Sequence, residues 1–305
     1  MTIELDPSLP WEKLADPHWH QGNDIYLSVA HDLYNYTPQS VTSEFTLFDG
    51  QVGIDFVKPT TTRISRKMTQ EEFLAVNGVD QINELFQLTD LTAAMTLLDV
   101  WHPLLVISQE NQANWTTGLG SNCGPIKSPK NGSIEVASTA HLDVSAADGM
   151  THEVMHQRLH CLGIYFEEHQ GLLFSNDNTQ WYDSPIRKDT QRPMAAVLHA
   201  QYVFMAETDY YTRLINLADK TQVDRNGYRQ RSFGNWYHTL SSYVKGTITG
   251  LDTVMVNIQP TANVGERFFQ GFQQYGLEVI AQARATLTNY ADVPGIQADQ
   301  TLLLS

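Results

Sequence analysis

Apolar positions along this chain recur mostly at the three- and four-residue spacing of helices, with a few short alternating runs between them. Residues 7–40 carry Pro7, Pro10, Pro17 and Pro38 among Trp11, His18, Trp19 and His20, which predicts irregular, aromatic-rich structure with a short helix near 23–35. Phe45, Leu47, Val52, Ile54 and Phe56 alternate as strands do. Thr69-Gln70-Glu71-Glu72 opens a helical pattern that continues through Phe73, Leu74, Val76, Ile82, Leu85 and Phe86. Leu91, Met95, Leu98 and Trp101 predict a second helix near 90–103, ended by His102-Pro103. Residues 110–133 cluster Asn, Gly, Ser and Pro and read as a loop or internal boundary. The glycines there lack phosphate-loop spacing and the Lys-Ser/Thr that should follow. Ser133–Ala137 reads as a short strand.

The remainder is more helical still. Ser145 and Asp148 have the spacing of a capping box, and the helix they announce is expected to run to about Glu168, with Gly171 placed to stop it. Met155, Leu159, Leu162 and Phe166 would form its inward side. Residues 170–192 form a polar loop holding Trp181 and Tyr182, and Pro193 suits the first turn of a helix over about 193–218. A helix near 228–247, a strand-like run at 251–258 and a long helix near 264–290 follow. The expected fold is mainly α with a minor β component. A single catalytic domain over 1–305 is expected, with a sub-boundary at 110–133, a core at about 134–290 and a metal site between two core helices.

Composition narrows the function classes. The 305 residues are 42% hydrophobic, enough for a substantial core. With 19 Lys+Arg against 34 Asp+Glu, the formal net charge is -15. Such a surface repels phosphate backbones and anionic lipids and would welcome a basic peptide, which argues against nucleic acid and membrane partners. The two cysteines, Cys123 and Cys161, cannot make a disulfide framework and read as reduced thiols. The Met1–Asp6 segment lacks a charged region followed by an apolar run, and no apolar stretch approaches a membrane span, so the expected compartment is the cytoplasm.

The candidate chemistry lies in His152-Glu153-Val154-Met155-His156. Residues four apart on a helix share one face, so both imidazoles can address one ion. Two ligands are too few. His199, on the predicted buried face of the helix after Pro193, is the leading third, with Glu207 as the carboxylate alternative. His160 continues the row but is a full turn too far, and His18 and His20 read as surface or packing residues. In zinc peptidases Glu153 would be the general base of such a motif. Imidazoles with open positions suit Fe(II) equally. Arg187 and Arg192 hold their charge and grip carboxylates bidentately, which suits a dicarboxylate co-substrate, although Asp183 and Asp189 offer them simple ion pairs.

Thr151–Leu159, followed by Ser184-Pro185-Ile186-Arg187-Lys188-Asp189-Thr190-Gln191-Arg192-Pro193 and then Leu198-His199-Ala200-Gln201-Tyr202, resembles the HExxH-type proteins of ribosomal peptide natural-product pathways. That family follows the helix motif with S/A-P-W-R-x-D-x-R-P-x-x-x-x-L-H-x-x-Y. The likeness covers residues 145–205. Ile186 stands where the family often has Trp, and Thr190-Gln191 replaces a more usual pair. The resemblance implies iron- and 2-oxoglutarate-dependent β-hydroxylation of a precursor peptide. It further implies His152, His156 and His199 as iron ligands and Arg187 and Arg192 as anchors of 2-oxoglutarate. Some members are fused to radical enzymes, which implies such an enzyme as a pathway partner. A zinc metallopeptidase, with Zn(II) in place of iron, and a non-catalytic peptide-binding module are the alternatives.

Overall fold

A computed structural model describes residues 5–19, 21–37, 44–54, 65–67, 69–75, 78–97, 100–106, 122–123, 133–138, 144–166, 168–185, 190–217, 227–292 and 302. The chain forms two compact units, one of residues 1–6 and 17–165, the other of residues 7–16 and 166–305. The architecture is mainly α with a minor β component.

In the first unit, α1 (Gly22–Tyr34) precedes the antiparallel pair β1 (Phe45–Leu47) and β2 (Val52–Ile54). Then follow β3 (Ser65–Lys67), α2 (Gln70–Ala75), α3 (Gly78–Leu88), α4 (Thr92–Met95), β4 (Val100–Val106), β5 (Asn122–Cys123), β6 (Ser133–Ser138) and α5 (Val144–Cys161). The strands lie in the order β1-β2-β4-β6-β5, with β3 paired to β4. The helical pattern expected from Thr69 opens α2 with a capping box: the Thr69 N–H donates to Glu72 Oε2 at 2.9 Å and the Glu72 N–H to Thr69 Oγ1 at 3.2 Å.

The helix expected at 90–103 is not formed. Among the described residues of that run only Thr92–Met95 is helical, and Val100–Val106 is a strand. That strand is paired instead, parallel to β2 and to β6. Among the described residues, β2 registers with Val100 and Trp101 and β3 with Leu104–Val106, and the registered partner of Pro103 is Val136 of β6. Most of the 110–133 segment lies outside the described residues, as do Phe56, Val76 and Leu98.

Helix α5 also departs from expectation. It begins at Val144, which puts Ser145 in its first turn rather than at the cap, and it ends at Cys161 rather than near Glu168. The terminator is Gly163, at φ +74°, not Gly171. The Gly163 N–H donates to the His160 carbonyl and the Ile164 N–H to the Leu159 carbonyl, both at 3.0 Å. That is a Schellman pair, and it is sealed by buried Leu159 and Ile164. Gly163→Ala is expected to cost about 1 kcal/mol in urea unfolding, because a Cβ is strained at this φ.

The second unit carries β7 (Tyr182–Asp183), β8 (Gln191–Arg192), α6 (Met194–Leu217), α7 (Gly227–Asn257) and α8 (Val264–Asn289). The strand-like run at 251–258 is instead the last turns of α7. Tyr237, Leu240, Val244, Leu251 and Val254 are all buried at helical spacing, so the burial of one stripe overrides the strand preference of the valines. The three long helices pack on one another, and Thr208 Oγ1 meets Thr247 Oγ1 at 2.8 Å across the α6–α7 interface.

Candidate functional site

Helix α5 is buried on nearly every side. From Glu153 to Leu162 each residue is buried, including the polar Glu153, Gln157, Arg158 and His160. It packs against β6, α1, α3 and α4 of its own unit. Polar side chains in such surroundings are costly unless something engages them. Arg158 stacks over the Tyr26 ring at 4.6 Å, and its Nη1 donates to the Pro17 carbonyl at 3.5 Å.

The one-turn spacing of the motif brings its histidines together. His152 Nε2 and His156 Nε2 stand 3.2 Å apart, with ring planes at 84°. Two nitrogens each about 2.0–2.1 Å from one ion, at angles between octahedral and tetrahedral, would be roughly 2.9–3.4 Å apart. The pair therefore has the bite of a shared metal, and its neutral donors suit Fe(II) or Zn(II). The same distance also fits a single N–H···N bond. Among the described residues, no group of three or more His, Cys, Asp or Glu forms a metal-holding cluster.

His199 lies in the second turn of α6, in the second unit, and is fully buried as its place predicts. The ring of Phe166 stacks on its imidazole at 4.1 Å between centroids, 25° from parallel. Sequence spacing put Phe166 on the inward side of α5. The early helix end removes it from that helix, and the signal for this was Gly163. Glu207, the carboxylate alternative, is buried two turns further along α6. Arg192 is half-buried in β8, opposite Tyr182. Arg187 falls outside the described residues, as does His20. His18 is a packing residue, its Nδ1 2.7 Å from the Asp90 carbonyl oxygen. Cys161 is a buried reduced thiol.

No known family model matches this chain, and no curated protein matches it. Among the described residues, no helix is long and apolar enough to cross a membrane.

His160 belongs to packing and not to the pair. Its ring stacks on Tyr165 at 5.3 Å, and Tyr165 meets Tyr34 edge-on. Burial holds the imidazole neutral by lowering its pKa to about 4, against an ordinary 6.5. The unfolded chain therefore binds this proton more readily. The stabilising contribution is complete above pH 6.5 and is lost as pH falls toward 4, a loss of about 3 kcal/mol. His160→Phe, which keeps a flat ring against Tyr165, is expected to flatten the urea midpoint across that window. A pH profile as steep as the parent's would show that His160 is not the group responsible.

Proposed function

We propose that this protein is an iron(II)- and 2-oxoglutarate-dependent oxygenase that hydroxylates a side-chain β-carbon of a ribosomally made peptide in the cytoplasm. The observation that carries the reading is the pair of Nε2 atoms 3.2 Å apart on α5. It is joined by the two-part motif likeness over residues 145–205. His152 and His156 would hold the metal, with His199 as the third ligand that the resemblance implies. Three neutral imidazoles leave the charge of a divalent ion uncompensated, which favours an anionic co-substrate beside it. Arg187 and Arg192 supply planar forks that match its carboxylate. When bound, iron and 2-oxoglutarate supply the oxidising power that inserts one atom of O2 into a C–H bond. The chain's own part is to fix the donors, orient both substrates and exclude water. A radical enzyme of the same pathway is the further partner proposed.

Glu153 favours a second reading. It is buried and directly follows His152, and in a zinc peptidase it would be the general base toward an attacking water. Co-expression with the peptide encoded beside this protein separates the readings by mass. A gain of one oxygen supports hydroxylation, and a cut chain supports the peptidase. A peptide that binds and keeps its mass would contradict both and leave a binding module.

A further inference from the structure

We propose that Phe166 is a positioning residue for His199, holding the imidazole in one orientation and screening its face from water; this rests on reading His199 as a metal ligand. Phe166 is 37% exposed, whereas the ring it covers is fully buried. Its inner face lies 4.1 Å from the imidazole, nearly parallel to it. The segment is also tethered. The Ala195 N–H, in the first turn of α6 where no intrahelical acceptor exists, donates to the Glu168 carbonyl at 3.3 Å. His199 follows Ala195 by one helical turn, so the tether holds Phe166 over the ring one turn above.

Stacking uses the face of the imidazole rather than the nitrogens at its edge. A leucine at 166 would cover His199 without a flat surface to fix the ring plane. A tyrosine would keep that surface at a position partly open to water. The residue thus acts through His199, and ring shape rather than bulk is what the position requires.

The test uses the full chain with Phe166 unchanged, Phe166→Tyr, Phe166→Leu and Phe166→Ala, each checked for an unchanged thermal transition. The first readout is carbethoxylation of the metal-free protein, mapped to His199 by mass spectrometry. His199 is expected to react at least about tenfold faster in the Ala variant than in the parent and in Phe166→Tyr, whose covered rings are buried. The second is anaerobic Zn(II) affinity. Phe166→Tyr is expected to match the parent, and the Leu and Ala variants to bind about 10–100-fold more weakly, as when a ligand's supporting contact is lost. Should Phe166→Ala not fold, Phe166→Leu decides. Equal affinity in Phe166→Leu and the parent, with His199 equally protected, would overturn the proposal. A parent chain that binds no metal would overturn the ligand reading instead, and the carbethoxylation result would still judge the stack.

Discussion

His156→Ala is expected to weaken Zn(II) or Fe(II) binding by more than a hundredfold, read by competition with a coloured chelator. The loss is large because two donors on one helix turn act as a chelate. Removing either breaks that chelate and forfeits about 3 kcal/mol or more of binding, at 1.4 kcal/mol per tenfold. His160→Ala provides the control on the same helix. Its ring lies a further turn of about 5.4 Å along the axis and is engaged by Tyr165, so affinity should stay within about threefold of the parent. Equal losses in the two variants would mean that metal binding reports the integrity of α5 and not ligation. An unchanged affinity in His156→Ala would remove the pair from any metal site.

Gly271→Ala is the substitution expected to cost the most stability, roughly 2–4 kcal/mol in urea unfolding. A Cβ at this point on α8 would overlap the backbone carbonyl of Glu12, which no side-chain rotation can relieve. The 7–16 segment is fastened to α8 one turn before that contact. Arg267 binds Glu12 Oε2 through Nε at 3.0 Å and Nη2 at 2.6 Å, and its Nη1 donates to the Pro7 carbonyl at 2.7 Å. Trp11 and Leu14 are fully buried there. For Gly276→Ala, on the same helix, the nearest atoms are Leu251 Cδ2 at 2.9 Å, Leu251 Cδ1 at 3.1 Å and Met205 Sδ at 3.3 Å, the movable ends of side chains. It should cost distinctly less. Equal costs would show that residues 7–16 do not dock on α8.

Where local signals decide structure, the sequence was readable. The helical opening at Thr69–Glu72 and Pro193 before α6 each led to the element found, as did the helices expected near 23–35 and 264–290. Where pairing with distant chain decides it, the sequence misled. Leu91, Met95, Leu98 and Trp101 carry helical spacing, yet Val100–Val106 is drawn into a sheet by β6, over 30 positions away in the chain. Val254 and Val256 suggest a strand, but the buried stripe of α7 holds them helical. The meeting of His152 with His156 was legible because one turn of helix dictates it. The stack of Phe166 on His199 was not, since it depends on where α5 stops, and Leu162-Gly163 resembled a mid-helix pair more than an end.

The central claim is that these imidazoles bind iron together with 2-oxoglutarate. The most direct measurement is an anaerobic titration of the purified protein with Fe(II) and then 2-oxoglutarate, followed by visible absorption. A weak charge-transfer band that saturates at one iron per chain, and that is absent in His152→Ala and His199→Ala, is the expected result. A parent protein that shows no band while holding one tightly bound zinc would contradict it.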